Sequence, residues 1–357
     1  MLDRIIQTVD AGLRIESTSD KPDKLDEIVD YCREMLNGYS VEVFESNGKR
    51  SLLAYNTAER PEKFRLILNG HLDVVPGRPE QYEPKYVGSK LYARGAYDMK
   101  CATLVQLLAF VDLASKLNYP VGLQLVSDEE IGGYDGTKYQ LDQGVRADFA
   151  IAGEPTDFGV NSVAKGLIQA DLNFRGSTAH AAYPWQGRNA VWKAYHFMEK
   201  LAHRYPEPRE EKWVTTVNFA QISSTKQPYN KVADDCSLAI DVRFVPEERE
   251  TIIETLESFL PDGASIDIRW FEPPHFADAD GADLQLLRKT TADVLGEMPA
   301  IIKKHAASDL RHFSEMGMQG VTFGPKGAGQ HTDEEWVDLP SLEQFYQVLT
   351  EFMNRLD

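Results

Sequence analysis

The sequence has 357 residues, of which 42% are hydrophobic, so it can bury a substantial core in two domains or in one domain interrupted by another. Its 38 Lys and Arg residues against 56 Asp and Glu residues give a formal net charge of −18. This charge repels the phosphates of nucleic acids and anionic membrane surfaces, so the composition argues against both as partners.

The cysteines and the first residues predict a cytoplasmic protein. No run approaches the roughly 20 apolar residues of a membrane span. Met1 is followed by Leu2, Asp3 and Arg4 and not by the basic and then apolar layout of a signal peptide. Cys32, Cys101 and Cys236 are far apart and form no CxxC spacing. Neither a disulfide framework nor a thiolate zinc site is therefore expected.

The first part of the chain has the pattern of an α/β domain. Apolar residues at helical spacing predict a helix at the start of the chain, and a second helix follows from about Lys24 to Leu36. Short apolar runs then predict buried strands, with a long apolar helix from Met99 to Leu117 between the first two. The strands are Phe64–Asn69 (FRLILN), Val121–Val126 (VGLQLV) and Asp148–Ala152 (DFAIA).

From Lys165 the pattern changes to a βαββαβ order, which is typical of a ferredoxin-like unit. Its predicted elements are a strand at 165–176, a helix at 188–204, strands at 213–223 and 237–245, a helix at 247–260 and a strand at 264–270. After Pro273 the α/β pattern resumes, with a helix at 283–295 and a strand at 320–323. We therefore predict a catalytic domain formed by residues 1–165 and 274–357, with an α+β domain inserted at 166–273.

His71 and Asp73 lie at the end of the first buried strand, in NGHLDVVPG. The alternation of an extended backbone directs both side chains to the same side. A metal-bound imidazole usually donates its second N–H group to a carboxylate, and Asp73 is placed to accept it. A turn histidine with an Asx-turn aspartate explains this segment equally well.

The next acidic side chains are predicted at the same edge of the sheet. Asp98 precedes the long helix, where it could cap the helix or bridge two cations. Asp128, Glu129 and Glu130 follow the strand VGLQLV, where a solvated charge run is the ordinary alternative. Adjacent carboxylates repel one another unless cations or protons neutralise them. One of the glutamates could therefore bind metal while its neighbour acts as a base.

Glu154 and His331 complete the set. Glu154 lies between Gly153 and Pro155 just after a strand, a position that also suits an ordinary loop glutamate. His331 follows a strand and a glycine-rich loop, and the acidic residues after it are expected to open a helix. All these side chains fall at the carboxyl edge of the predicted sheet, where open α/β sheets bind ligands. Two histidines and three carboxylates, one of them shared, give each of two ions a mixed nitrogen and oxygen ligand set.

The motifs that carry these residues resemble those of M20-type metallopeptidases, a family that includes acetylornithine deacetylase, succinyl-diaminopimelate desuccinylase, aminoacylases and carboxypeptidases. The motifs occur in family order along nearly the whole chain: GHLDVVP, RGAYDMK, SDEEIGG, AGEPT, GSTAHAAYPWQGRNAV and GQHTDEE. The resemblance implies an α/β catalytic domain with a central mixed sheet. It also implies that the inserted α+β domain is a ferredoxin-like lid and dimerisation domain.

The resemblance also implies a role for each site residue. His71 and Glu154 would hold one ion, Glu130 and His331 the other, and Asp98 would bridge them. Asp73 would support His71, and Glu129 would be the general base. His180, in GSTAHAAYP, would reach a neighbouring active site and stabilise the developing oxyanion. Independently of the resemblance, the candidates for binding a substrate carboxylate are Arg188, Asn189, Arg243 and Arg311, because guanidinium binds carboxylates in a fork. A surface ion pair is the ordinary alternative for any one of them.

The sequence thus predicts a cytoplasmic, homodimeric amidohydrolase that uses two divalent ions, zinc or else cobalt or manganese, to remove an acyl group from an amino acid. A di- or tripeptidase or a carboxypeptidase is the alternative within the family, because the metals would act in the same way on a peptide bond and on the amide bond of an N-acyl amino acid. Ala306 and Ala307 stand where the family often has Gly and Thr, which argues against specificity for succinyl groups. A non-catalytic metal-binding module and a purely structural metal protein are the alternatives from other classes.

Overall fold

A computed structural model describes residues 1–357. The α-helices are α1 (Leu2–Leu13), α2 (Pro22–Met35), α3 (Lys100–Leu113), α4 (Tyr139–Asp142), α5 (Ala190–Arg204), α6 (Ile252–Ser258), α7 (Ala282–Leu295), α8 (Leu310–Glu315) and α9 (Leu339–Arg355). None of these helices combines the length and the apolar character that crossing a membrane requires.

The strands are β1 (Ser40–Ser46), β2 (Lys49–Tyr55), β3 (Phe64–His71), β4 (Lys85–Val87), β5 (Lys90–Tyr92), β6 (Val121–Val126), β7 (Ala147–Ala152), β8 (Val160–Ala164), β9 (Gly166–Arg175), β10 (Thr216–Ser223), β11 (Asp235–Phe244), β12 (Ala264–Glu272), β13 (His275–Phe276), β14 (Ile301–Lys304), β15 (Gln319–Thr322), β16 (Gly327–Ala328) and β17 (Trp336–Asp338). The chain divides into two compact units. The larger unit contains Met1–Val163, Phe276–Lys303 and Ser308–Asp357, and the inserted unit contains Ala164–His275 and Lys304–Ala307.

The larger unit is built on a mixed sheet with the strand order β1-β2-β6-β3-β7-β15-β8-β13, and β14 pairs with β8. Strands β6, β3, β7 and β15 are parallel to their neighbours in this series. Every residue of β6 is buried, as expected for a central parallel strand covered on both faces. Helix α3 is apolar on nearly all sides and packs within the same core, which fixes its position against the sheet.

The inserted unit is a four-stranded antiparallel sheet with the strand order β10-β11-β9-β12. Buried and more exposed residues alternate along β9 and β11, so one face of the sheet is apolar. Helices α5 and α6 bury their apolar residues in the core on that face. The connection β9-α5-β10-β11-α6-β12 is the βαββαβ order that the sequence predicted.

The structure corrects the prediction that the acidic residues after His331 open a helix. They lead into the short strand β17, and the helix begins only at Leu339. Asp338 caps this helix by accepting a hydrogen bond from the Ser341 amide at 3.2 Å, and Pro340 lies in its first turn. Both features favour a helix start at this position, because the Asp side chain pairs an otherwise free N–H and proline lacks one.

Candidate active site

The carboxyl ends of the central parallel strands bring the predicted acidic and histidine side chains to one edge of the larger sheet. Strand β3 ends at His71, and Glu154 follows the end of β7. Asp98 immediately precedes the N-terminal residues of α3, where Met99 occupies the N-cap position without a side-chain cap. His331 lies in the loop between β16 and β17 with a φ of 60°, a left-handed conformation that only a few per cent of non-glycine residues adopt.

Five side chains form two adjoining groups of possible metal ligands that share one carboxylate. His71, Asp98 and Glu154 form the first group, and Asp98, Glu130 and His331 form the second. Within each group the ligand atoms lie within 4.8 Å of one another. The Nε2 atom of His71 is 3.2 Å from Asp98 Oδ1, and that of His331 is 3.1 Å from Asp98 Oδ2 and 3.2 Å from Glu130 Oε2.

The donor set fits divalent ions on chemical grounds. It contains imidazole nitrogens and carboxylate oxygens, the ligands that zinc, cobalt and manganese accept. Glu130 Oε1 is buried and has no hydrogen-bond donor in the protein, so the site leaves a carboxylate oxygen available to a cation. The shared Asp98 is itself only 4% exposed. A buried carboxylate cluster of this kind requires positive charge for its neutralisation.

Without ions, the histidines supply that positive charge. Hydrogen bonding to Asp98 and then to Glu130 raises the pKa of His331 to about 10. Burial opposes protonation of His71, but its contacts with Asp73 and Asp98 outweigh burial and raise its pKa well above the usual value. Burial would raise the pKa of Asp98, but the two imidazoles lower it below its ordinary value. Bound cations would take over this role and favour neutral imidazoles.

Asp73 contacts both His71 and the segment of the neighbouring glutamates. His71 Nδ1 donates a hydrogen bond to the backbone carbonyl oxygen of Asp73 at 2.9 Å, so Nδ1 keeps its proton when the ring is neutral, and Nε2 faces Asp98. The Asp73 carboxylate is farther away, at 3.5 Å. It accepts hydrogen bonds from the backbone amides of Glu129, at 3.2 Å, and Glu130, at 3.0 Å. Asp73 therefore fixes both the tautomer of His71 and the backbone of the neighbouring glutamates.

Glu129 is a largely buried carboxyl beside the two ligand groups, with 14% of its side chain exposed. Burial and then the negative charge of Glu154 raise its pKa well above the usual range of a glutamate. The guanidinium of Arg311 is 4.0 Å from Glu129 Oε1 and opposes that shift. A carboxyl whose proton affinity is raised in this way has a chemistry suited to exchanging protons near neutral pH.

Arg311 is buried and already contacts protein groups. Its Nη2 atom donates a hydrogen bond to the Gly132 carbonyl at 2.6 Å, and His312 Nε2 lies 3.0 Å from the same oxygen. Burial and then the Arg311 charge lower the pKa of His312 to about 3, so this histidine is neutral. It donates to the carbonyl and leaves Nδ1 unprotonated. A contact of Arg311 with a substrate carboxylate stays a prediction.

The other predicted residues belong to the inserted unit. His180 is exposed, and its Nδ1 atom accepts a hydrogen bond from the Ala182 amide at 3.1 Å, which leaves Nε2 protonated and able to donate. Asn189 caps α5, with its side-chain oxygen 2.9 Å from the Val191 amide. Because the oxygen is used in this way, only the amino group of Asn189 is left for other contacts.

The two arginines of the inserted unit differ in their contacts. Arg188 is exposed, and its backbone pairs with that of Ser177. Arg243 Nε donates to Asp241 Oδ1 at 2.7 Å, so its charge is paired within β11. A role of either arginine in binding substrate stays a prediction.

Gln330 and Glu335 are site residues that the sequence reasoning missed. Gln330 Nε2 donates to Asp98 Oδ2 at 2.5 Å, and Glu335 accepts the backbone amide of Asp98 at 3.0 Å. Their closeness to His331 in sequence was a signal, since a segment that delivers one ligand to the site can deliver others. Which of its polar residues point inward depends on the loop conformation, which the sequence alone did not indicate.

A comparison with known families decides the classification of this site. Residues 67–355 match the family model described as "Peptidase family M20/M25/M40". The chain belongs to this peptidase family. The family resemblance predicted from the motifs is therefore confirmed, and the protein is a hydrolase that acts on amide bonds.

Alignments with similar proteins cover most of this chain. It is 27% identical over 342 residues to a succinyl-diaminopimelate desuccinylase of a Nitratiruptor species, covering 90% of this chain and 92% of that protein. Aminopeptidase PepT from Bacillus cereus ATCC 10987 superimposes with a TM-score of 0.82 at 17% identity, covering 100% of this chain and 99% of the other. A tripeptidase from Staphylococcus aureus gives 0.79 at 20% identity, covering 100% and 98%. The shared fold confirms the predicted fold class, a mixed-sheet α/β domain with an inserted α+β domain.

Proposed function

We propose that this protein is a two-metal amidohydrolase that removes the acyl group from an N-acyl amino acid. The observation that carries the proposal is the pair of ligand groups that share Asp98, with the largely buried carboxyl of Glu129 beside them. In this proposal His71 and Glu154 would hold one ion, Glu130 and His331 would hold the other, and Asp98 would serve both. Mixed nitrogen and oxygen ligands favour zinc, with cobalt and manganese as chemically suitable replacements.

When bound, the ions supply Lewis-acid polarisation of the amide and lower the pKa of water. Glu129 accepts the proton of the attacking water and returns it to the departing amine. Asp73 keeps His71 in the tautomer with an unprotonated Nε2 and holds the Glu129 backbone in place. His180 donates a hydrogen bond from Nε2 to the negative charge that develops on the acyl oxygen.

The relatives in sequence favour deacylation over peptide hydrolysis. The Nitratiruptor protein is named as a desuccinylase, an enzyme that removes an acyl group from an amino acid, and it aligns with 90% of this chain. The peptidases of similar structure are at most 20% identical and support the fold alone. Ala306 and Ala307, in the segment before Ser308, argue against a succinyl group as the acyl group.

Hydrolysis should require metal. Removal of bound metal with a chelator should abolish turnover of N-acetyl and N-succinyl amino acids, and added zinc, cobalt or manganese should restore it, because the residues alone cannot activate water sufficiently. Rates are measured on N-acyl amino acids and dipeptides after metal content has been verified. Full turnover by metal-free protein would contradict the proposal. Faster turnover of dipeptides than of every N-acyl amino acid would replace the deacylase with a peptidase.

We also propose that the protein is a homodimer joined through the inserted unit. Helix α5 exposes Trp192 and Tyr195 with His196 packed against them, and Trp185 before the helix is 75% exposed. Clustered exposed aromatic side chains are typical of protein interfaces, since burying them releases a large apolar area. In such a dimer His180 would serve the active site of the partner subunit.

Mixed dimers test whether His180 acts in trans. A dimer of one His180→Ala chain and one Glu129→Ala chain should regain about half of the active sites, because one site then has both residues intact. A matched control combines a wild-type chain with a chain that carries both substitutions. It should be inactive if His180 acts in trans and half active if it acts in cis. Activity only in the control dimer would overturn the proposed arrangement.

A further inference from the structure

Glu335 is a buried carboxylate with no part in the chemistry proposed above. It is 2% exposed, and its Oε2 atom accepts a hydrogen bond at 2.6 Å from Arg94, which is 3% exposed. An ion pair in such a position has a large desolvation cost and is only weak support for stability. The position of this pair, at the start of the Asp98 segment, suggests a role in the site instead.

The second carboxylate oxygen of Glu335 binds the backbone of Asp98, the residue shared by the two ligand groups. Its Oε1 atom accepts hydrogen bonds from the consecutive amides of Tyr97, at 2.9 Å, and Asp98, at 3.0 Å. Asp73 makes a similar contact elsewhere in the site, with the amides of Glu129 and Glu130. In both cases one buried carboxylate fixes two successive peptide groups next to a candidate metal ligand.

Glu335 also links the two chain segments that meet at the second ligand group. It lies four residues after His331, in the same loop that places Gln330 against Asp98 Oδ2. Asp98 is thus held through its backbone by Glu335 and through its carboxylate by Gln330 and His331. Loss of the Glu335 contacts would free the Asp98 backbone while leaving every candidate ligand present.

We propose that Glu335, paired with Arg94, is a positioning residue that sets the Asp98 carboxylate against His331 and so raises the affinity of the protein for its metal ions. The inference rests on the proposed function, because it assumes that Asp98 serves two ions. Buried hydrogen-bond partners that orient metal ligands typically change metal affinity by about 10–100-fold when they are removed.

The test compares Glu335→Gln with Asp283→Asn. Both substitutions replace an arginine-bound carboxylate with an amide of the same shape. Asp283 accepts hydrogen bonds from Arg65 at 2.6 and 2.8 Å. Arg65 lies at the start of β3 and His71 at its end, roughly 20 Å away at about 3.3 Å per residue. Zinc affinity is measured by competition with a chromophoric chelator, and the unfolding temperature of each protein is measured without metal.

Glu335→Gln should weaken zinc binding by about 10–100-fold, whereas Asp283→Asn should bind zinc as the wild type does. At saturating zinc the kcat of Glu335→Gln should return towards the wild-type value, because every ligand and Glu129 are intact. Arg94→Lys retains one charged donor for Glu335 and should show a smaller loss of affinity. If Glu335→Gln cannot be purified folded, unchanged zinc affinity of Arg94→Lys would overturn the inference.

Two other results would overturn it as well. One is wild-type zinc affinity in Glu335→Gln. The other is an equal loss of affinity in both variants together with an equal loss of thermal stability, because that describes general destabilisation. Failure of the wild-type protein to bind zinc, cobalt or manganese would instead overturn the proposed function itself.

Discussion

Asp98→Ala should lose the binding of both ions and should reduce hydrolysis to below about 1% of the wild-type rate at a zinc concentration that saturates the wild type. Asp98 is the one residue that contributes to both ligand groups. Its removal leaves each group with one histidine and one glutamate, fewer than the three protein ligands of typical catalytic zinc sites. The loss should exceed the roughly 10–100-fold effect of removing a residue that only orients a ligand.

The measurement is metal content after dialysis together with steady-state rate, and Asp112→Ala is the control. Asp112 also accepts two side-chain donors, from Arg4 at 2.8 Å and Tyr346 at 2.7 Å, but it contacts no candidate ligand. The control should keep both ions and full activity. Retention of two ions at wild-type affinity by Asp98→Ala would show that Asp98 is not shared.

The central sheet and the clustering of the acidic residues could be predicted because the end of each buried strand indicates a position at the edge of the sheet. Apolar runs such as VGLQLV are buried throughout, which the β6 strand confirms. Parallel strands place their carboxyl ends at one edge, so a polar residue after each run falls beside the others. His71, Glu130 and Glu154 were brought together in this way by local patterns separated by many residues in sequence.

The β1-β2 hairpin was missed although a signal was present. Asn47 and Gly48 form the turn with φ angles of 47° and 73°, and Ser46 pairs with Lys49 across it. An Asn-Gly pair between runs of alternating residues is a strong indication of a two-residue hairpin turn.

Other parts of the site depend on contacts that no local pattern encodes. The conformation of the loop that carries His331 is set by its packing, and this loop also delivers Gln330 and Glu335 to the Asp98 segment. Asp73 was expected to use its carboxylate on His71. Its carbonyl oxygen lies closer to His71 Nδ1, at 2.9 Å, than its carboxylate does, at 3.5 Å, and the carboxylate also accepts the amides of the Glu129 segment. Tertiary structure decides which contacts a residue makes with its backbone and which with its side chain.

Glu129→Gln and Glu130→Gln should fail in opposite ways, although the two residues are adjacent and identical in type. Glu129→Gln preserves size and removes the proton acceptor, so both ions should stay bound while the single-turnover rate falls by roughly 10²–10⁴-fold. Glu130→Gln weakens a ligand of the group that contains His331, 3.2 Å away. Its zinc content should fall, and its rate should recover in part with excess zinc, as mass action requires.

Each variant is the control for the other, because Asp73 binds the backbone amides of both residues and neither substitution removes those bonds. The measurements are metal content and single-turnover rate on matched samples with the same N-acyl amino acid. A near wild-type rate in Glu129→Gln with both ions bound would remove Glu129 as the base. If Glu129→Gln loses an ion while Glu130→Gln stays loaded but inactive, the base and the ligand are exchanged. In that case the catalytic carboxyl is the one beside His331, whose Oε1 atom lacks a hydrogen-bond donor in the protein.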